Sequence, residues 1–220
     1  FHLATDGLGS HVIIKGFSSE GHDSANTDYA DHWNERAGGL RDLNVLLANA
    51  GKYNSRVGIH INTSEFYPES NRFDPELFDL NSKGQVRKGW VWLDQSIMIN
   101  QMKDFHHGTA LAALDKMRKS LPGLDFVYVD TFMHNGWPAR ALAGKLNGLG
   151  LPIYTEVPAG MDPDTVWTHG RKGGSQLFAF LWYSDRDITG NDPILRGGRS
   201  DDDGFMGWQN RHNFTKAIHG

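Results

Sequence analysis

Two carboxylates, Asp130 and Glu156, each follow a short apolar run, and this pattern could serve acid–base chemistry. Phe126-Val127-Tyr128-Val129 precede Asp130, and Ile153-Tyr154-Thr155 precede Glu156. A carboxylate among apolar residues is costly to bury without a partner or a task. Glycoside hydrolysis uses two such groups: one protonates the leaving oxygen, and the other attacks the anomeric carbon or activates water. The alternative is structural, in which each carboxylate forms a salt bridge or caps the following helix.

Short buried strands are the elements that would position these carboxylates. The strand pattern occurs in five apolar runs, Val12 to Phe17, Val57 to Ile61, Phe126 to Phe132, Pro152 to Val157 and Leu177 to Trp182, and Phe1 to Ala4 is a candidate sixth. The runs are apolar nearly throughout, as in parallel sheets. Because Asp130 and Glu156 lie about one βα unit apart, adjacent parallel strands would bring them together.

Helical periodicity separates these runs. It is carried by Leu40, Leu43, Leu47 and Ala50, by Leu111, Leu114, Met117 and Leu121, and by Leu142, Leu146 and Leu149 after Pro138 in a first helical turn. No glycine-rich phosphate fingerprint follows the first strand, and several strands end in polar loops, including Asn62. The pattern therefore favours a (β/α)8 TIM-like barrel over an open doubly wound sheet. With five secure strands, residues 1–220 are expected to form a single but incomplete catalytic barrel domain.

The amino-acid composition limits the classes of ligand and of chemistry that are expected for this chain. The net charge of −4 gives no support for nucleic-acid binding, and no apolar run is long enough for membrane insertion. Cysteine is absent, which excludes thiolate chemistry. The chain starts at Phe1 rather than at methionine, so we expect it to be an internal segment of a longer protein with further domains.

Tryptophan and histidine supply two weaker signals. Trp90 and Trp92, in a predicted long loop, could be platforms for sugar rings, or they could fill a core beneath that loop. His22-Asp23 and His60-Ile61-Asn62 resemble fragments of metal sites, but no H-x-H or H-E-x-x-H pattern is present. A metal hydrolase is thus a minor alternative, and no metal or cofactor is expected.

A set of longer motifs resembles a known family. The motifs occur in this order: Ala4-Thr5-Asp6-Gly7-Leu8-Gly9, Glu20-Gly21-His22-Asp23-Ser24, Gly58-Ile59-His60-Ile61-Asn62 with Tyr67-Pro68-Glu69, Gly89-Trp90-Val91-Trp92-Leu93-Asp94-Gln95, Phe126-Val127-Tyr128-Val129-Asp130 and Gly207-Trp208-Gln209. They resemble the catalytic barrel of the bacterial endo-α-N-acetylgalactosaminidases over nearly the whole chain. The resemblance implies a retaining glycoside hydrolase that releases Galβ1-3GalNAc from serine or threonine of mucin-type O-glycoproteins, outside or on the surface of a bacterium.

The resemblance also implies roles for individual residues. Asp130 would be the nucleophile and Glu156 the general acid/base, with a carboxyl separation of about 5–5.5 Å. The implied substrate-binding residues are His22, Asp23, Trp90, Trp92 and Gln209, to which the polar strand end adds Asn62. Two alternatives stay open: a barrel glycosidase of different specificity, and a catalytically silent carbohydrate-binding segment.

Overall fold

Eight strands in two sheets organise the part of the chain that this computed structural model describes, residues 2–4, 6–18, 27–91, 94–132, 134–156 and 159–168. In chain order they are β1 (Ser10–Ile14), β2 (Ser55–Asn62), β3 (Glu65–Phe66), β4 (Lys88–Val91), β5 (Gln95–Met98), β6 (Phe126–Asp130), β7 (Ile153–Thr155) and β8 (Thr165–Thr168). A five-stranded parallel sheet has the order β1-β2-β6-β7-β8, and an antiparallel sheet has the order β3-β5-β4. The parallel sheet agrees with the sequence prediction.

Helices connect the parallel strands. They are α1 (Gly39–Ala50), α2 (Gln101–His107), α3 (Thr109–Ser120) and α4 (Trp137–Gly148). The predicted helical patterns correspond to α1, α3 and α4, and Pro138 lies in the first turn of α4 as expected. Gly108 separates α2 from α3 with a φ of 76°, a left-handed conformation that glycine adopts without steric cost.

The described helices all pack on one face of the parallel sheet. The core on this face joins β2 residues Ile59 and Ile61 to helix residues that include Leu47, Leu114 and Leu142. An open doubly wound sheet would carry helices on both faces, whereas a barrel carries them only outside. The single helical face therefore favours the barrel.

The opposite face of the sheet carries a separate aromatic cluster of Phe126, Tyr128 and Tyr154 with Ile13 packed against it. Gly58 of β2 lies beside Phe126, and a Cβ atom there would be 2.4 Å from the Phe126 ring. Glycine is required at this position because a large ring from the next strand occupies the side-chain space. This inner face is the one that becomes polar toward the carboxyl ends of the strands.

The structure departs from the sequence prediction in three places. His2–Ala4 forms a turn of 3-10 helix, so the candidate strand at the start of the chain is wrong. Thr165–Thr168 pairs with β7 as β8, a strand that the apolar pattern did not indicate. The tryptophan segment is not a long loop, because Trp90 lies on β4 of the antiparallel sheet inserted between β2 and α2. The predicted strand Leu177 to Trp182 lies outside the described residues.

None of the described helices has the length and apolar character needed to cross a membrane.

Candidate active site

The two predicted carboxylates lie at the carboxyl ends of neighbouring strands. Asp130 is the last residue of β6, and Glu156 directly follows β7. The backbone N–H of Glu156 donates to the carbonyl oxygen of Val129 at 3.0 Å, which continues the pairing of the two strands. Asn62, the last residue of β2, is in register with Asp130 on the other side. Three polar side chains therefore meet at one end of the sheet, the end where barrel enzymes place their catalytic groups.

The carboxyl groups of Asp130 and Glu156 lie close enough to shift each other's pKa values. The backbone N–H of Thr131 also donates to Oε2 of Glu156 at 3.1 Å. Asp130 does not cap the following helix, because α4 begins after Gly136 without a side-chain cap. Because a like charge disfavours ionisation, the second carboxyl group of such a neighbouring pair loses its proton less readily than the first.

His60 lies next to Asp130 on the inner face of the sheet. Its Nε2 atom is 3.5 Å from Oδ1 of Asp130, and both side chains are largely buried. The imidazole stacks on the Tyr128 ring, with centroids 5.5 Å apart and an interplanar angle of 22°. Stacking fixes the orientation of the ring, so Nε2 stays directed toward the carboxylate.

The surroundings move the pKa values of the two acids in opposite directions. Burial is the largest single influence and raises the pKa of Asp130, but the opposing contributions of nearby His60, Lys15 and Glu156 together outweigh it, so the net pKa lies below its ordinary value. Lys15, just beyond β1, contributes positive charge in the same direction. Burial and then the charge of Asp130 raise the pKa of Glu156 above its ordinary value. Asp130 therefore loses its proton at lower pH than Glu156 does.

Tyr128 lies two residues before Asp130 on β6, so its ring is on the same face of the sheet as the Asp130 side chain. Burial, followed by the charges of Asp130 and Glu156, raises the pKa of its phenol well above the ordinary range. The phenol therefore stays neutral and adds no charge to the site.

Thr131 has a strained backbone immediately after Asp130. Its φ is 45°, in the left-handed region, and a β-branched side chain rarely adopts that conformation. Such a residue costs on the order of 1–3 kcal/mol and persists only where its surroundings hold it. The strained conformation coincides with the hydrogen bond that the Thr131 N–H donates to Glu156. Strain at this position accordingly marks a residue that the site holds in place.

The inserted antiparallel sheet begins three residues after Asn62 and carries Trp90. Trp90 is 61% exposed, so it does not fill a core, which was the structural alternative. Its backbone is held by the buried strand β3: the Trp90 N–H donates to Oε1 of Glu65 at 3.2 Å. Tyr67 O–H donates to the Trp90 carbonyl oxygen at 3.4 Å. An exposed indole on a tethered backbone can serve as a stacking surface.

Four of the predicted substrate-binding residues, His22, Asp23, Trp92 and Gln209, lie outside the described residues. Asn62 is described, and its Oδ1 atom accepts from the N–H of Ser64 at 2.8 Å. Within the described ranges, no group of three histidine, aspartate or glutamate side chains is arranged to hold a metal ion.

Sequence reasoning missed the groups that surround the carboxylates. His60 was considered as part of a metal-site fragment and of a motif shared with the resembled family, without a role in the site, and Lys15 only as part of an apolar run. The available signal was strand alternation: His60 is two residues before Asn62, so both face the same side of the sheet. No comparable signal exists for Thr131, because its positive φ arises from tertiary contacts.

Comparison with known protein sequences identifies relatives of this chain. The family described as endo-alpha-N-acetylgalactosaminidase, glycoside hydrolase family 101, matches residues 1–218. The chain belongs to this family. A protein of Renibacterium salmoninarum provisionally named endo-alpha-N-acetylgalactosaminidase is 38% identical over 228 residues, which cover 98% of this chain. The matched region is 15% of that relative's length, so this chain corresponds to a small part of the relative.

Solved structures agree on the fold of this family member. The GalNAc complex of alpha-N-acetylgalactosaminidase NagBb from Bifidobacterium bifidum matches 98% of this chain and 43% of its own, with a TM-score of 0.70 at 15% identity. Its ligand-free form matches 89% and 39%, with a TM-score of 0.67 at 17% identity. The maltogenic alpha-amylase AmyB from Thermotoga neapolitana matches 88% and 47%, with a TM-score of 0.59 at 14% identity. At such identities the likeness concerns the fold alone, and the described parallel sheet with its outer helices is an incomplete (β/α)8 barrel.

Proposed function

We propose that this chain is the catalytic segment of a retaining glycoside hydrolase that releases Galβ1-3GalNAc from serine or threonine of O-glycoproteins. The observation that carries the proposal is the pair of Asp130 and Glu156 at the ends of neighbouring strands, with pKa values shifted apart, in a chain that belongs to the endo-alpha-N-acetylgalactosaminidase family. Groups with pKa values pushed apart are suited to divide the roles of nucleophile and acid.

The reaction would proceed in two displacements. In the first, an oxygen of Asp130 bonds to the anomeric carbon of GalNAc while the bond to the Ser/Thr oxygen breaks, and Glu156 gives its proton to that oxygen. In the second, water attacks the same carbon, the bond to Asp130 breaks, and the water's proton passes to Glu156. Two inversions at one carbon retain its configuration.

The two carboxyl groups have to admit the reacting atoms between them. The anomeric carbon and the glycosidic oxygen must lie between Asp130 and Glu156 during the first displacement. A carboxyl separation of about 5–5.5 Å, the value that retaining enzymes keep, is therefore the expected geometry of the substrate complex.

The sugar contacts proposed for the site are those expected from the sequence. Trp90 presents an exposed indole against which the apolar C–H face of a sugar ring can pack. Asn62 stands beside Asp130 with polar atoms for a hydroxyl group. His22, Asp23, Trp92 and Gln209 are the further proposed contacts. A glycan or O-glycosylated protein is then the partner, met outside or on the surface of a bacterial cell, and the longer relative suggests further domains.

The disaccharide specificity can be tested on the full-length protein. We expect it to hydrolyse an aryl α-glycoside of Galβ1-3GalNAc with a kcat/KM at least about 100-fold above that for the aryl α-glycoside of GalNAc, because lost contacts to a whole sugar cost several kcal/mol. Nuclear magnetic resonance of the first product would show the α-anomer. A preference for the monosaccharide would favour a glycosidase of different specificity, and binding without turnover would favour a silent carbohydrate-binding segment.

His60 should control the pH at which the nucleophile becomes ionised. Replacing His60 with phenylalanine keeps a ring against Tyr128 but removes the imidazole whose Nε2 atom lies 3.5 Å from Asp130 and which lowers the pKa of that acid. That pKa should rise, so the acid limb of the kcat/KM profile should move to higher pH. The plateau should fall by no more than about tenfold, since both carboxyl groups remain.

A matched control for this variant is His11→Phe. His11 stacks on Phe126 and Tyr154 on the inner face, away from the carboxyl ends of the strands. His11→Phe should leave the acid limb in place. An unmoved acid limb in His60→Phe would contradict the role assigned to His60.

A further inference from the structure

The strained turn at Thr131 is tied to the inserted sheet through hydrogen bonds. The Ser64 hydroxyl donates to the Thr131 carbonyl oxygen at 3.1 Å. Gln101 Nε2 donates in turn to the Ser64 hydroxyl oxygen at 2.8 Å and to the carbonyl oxygen of Thr63 at 3.1 Å. Two successive hydrogen bonds thus connect Gln101 through Ser64 to Thr131, the residue that follows Asp130.

The side chains of Ser64 and Gln101 are both shielded from water. Ser64 is 4% exposed and Gln101 1% exposed. Hydrogen bonds between buried polar groups are stronger than those in water and costly to break, so they can hold a defined geometry. Ser64 lies in the turn between β2 and β3, and Gln101 is the first residue of α2 after β5. The bonds therefore join both ends of the insertion to the end of β6.

The two sides of Thr131 are coupled through its backbone. Its carbonyl oxygen accepts from Ser64, and its N–H donates to Oε2 of Glu156 at 3.1 Å. A residue with a φ of 45° stays in that conformation only while its neighbours hold it. Removing the bond from Ser64 would let the peptide relax, and the N–H would then no longer be directed at Glu156.

We propose that Ser64 and Gln101 are positioning residues that hold Glu156 in place through the strained backbone of Thr131. This inference rests on the proposed function of Glu156 as the general acid/base. The Asn62 side chain supports the same turn by accepting from the Ser64 N–H, which links the neighbouring strand end to it.

The test compares two substrates with the full-length protein carrying Ser64→Ala. One substrate is a Ser/Thr-linked glycopeptide, whose alkoxide leaving group needs the proton of Glu156. The other is an aryl glycoside with an acidic phenol, which leaves without protonation. We expect kcat/KM to fall by about tenfold for the glycopeptide and by less than about twofold for the aryl glycoside, because a displaced acid affects only the step that needs it.

The pH profile gives a second readout. Burial and then the charge of Asp130 raise the pKa of Glu156, and the Thr131 N–H and Lys15, which also face it, lower that pKa. Loss of the Thr131 bond should therefore raise the pKa of Glu156 further. The alkaline limb of the profile in Ser64→Ala should move to higher pH, a change that simple loss of stability would not produce.

Matched variants separate positioning from general damage. Ser55→Ala removes the 2.7 Å hydrogen bond with the Ser10 hydroxyl at the opposite end of β2 and should alter neither readout. Ser64→Thr keeps the hydroxyl and should restore activity on the glycopeptide. If Ser64→Ala does not fold, Gln101→Met, which removes the donor at similar side-chain length, should show the same pattern.

The outcomes distinguish this inference from the function on which it rests. Equal losses on both substrates, or an alkaline limb that stays in place, would overturn the positioning role of Ser64 while leaving Glu156 as the acid. If Glu156→Gln itself loses kcat/KM equally on the glycopeptide and on the aryl glycoside, then both the acid role of Glu156 and the inference fail.

Discussion

Replacing Asp130 with asparagine is expected to lower kcat by on the order of 10⁴-fold or more on both aryl and peptide-linked substrates, because a neutral amide cannot attack the anomeric carbon. Asparagine is nearly isosteric with aspartate, so the packing around Tyr128 and His60 should change little. The charge that raises the pKa of Glu156 is also lost, so that pKa should fall toward its ordinary value. Steady-state kinetics with both substrates measures the loss.

Azide provides a stereochemical check on the same residue. In Asp130→Ala the small anion can occupy the space of the carboxylate and attack the anomeric carbon once, so the product should be the β-glycosyl azide. Asp125→Asn is a matched control, because Asp125 immediately precedes β6 at its other end and accepts from the Val57 N–H at 2.8 Å. Its kcat should stay within about twofold of wild type. Residual activity above about a tenth of wild type in Asp130→Asn would exclude Asp130 as the nucleophile.

Replacing Glu156 with glutamine should separate substrates by the acidity of their leaving groups. General acid catalysis contributes about 10²- to 10⁴-fold, so kcat/KM for the Ser/Thr-linked glycopeptide should fall by that amount. An aryl glycoside with an acidic phenol should lose far less in the same constant. The alkaline limb of the pH profile should also disappear, since glutamine does not titrate in this range.

The control for this variant is Glu76→Gln. Glu76 is exposed in a turn of 3-10 helix between Pro75 and Leu77. Its replacement should leave both substrates and the alkaline limb unchanged. Equal losses on both substrates in Glu156→Gln, or an alkaline limb that persists, would remove Glu156 from the role of acid/base.

The parallel strands and their helices were predictable because burial leaves a strong periodic signal. Ile59 and Ile61 of β2 lie in an apolar run, and the leucines of α1, α3 and α4 recur at helical spacing. The inserted sheet was not predictable in this way. Its strands have two to four residues, and exposed positions such as Trp90 and Val91 break the alternation that indicates a strand. Short β8 was missed for the same reason.

Some residues of the candidate site could likewise be predicted from the sequence, and others could not. Asp130 and Glu156 were predictable because each ends an apolar run, which is unusual for a charged residue. The surrounding His60, Lys15 and Ser64 were not assigned to the site, since a histidine in a strand, a lysine after one and a serine in a turn are ordinary in sequence. Their importance depends on which strands are neighbours.

By itself the sequence determined which carboxylates end the buried strands, and membership of the endo-alpha-N-acetylgalactosaminidase family follows from it. Hydrophobic periodicity and residue type are local properties, so they can be read without coordinates. Only the tertiary structure decided that His60 lies beside Asp130, that the pKa values of the two acids shift in opposite directions and that Thr131 is held at a φ of 45° beside Glu156. Strand register and inter-residue distance set the electric field and the strain, and both arise only when distant parts of the chain are brought together.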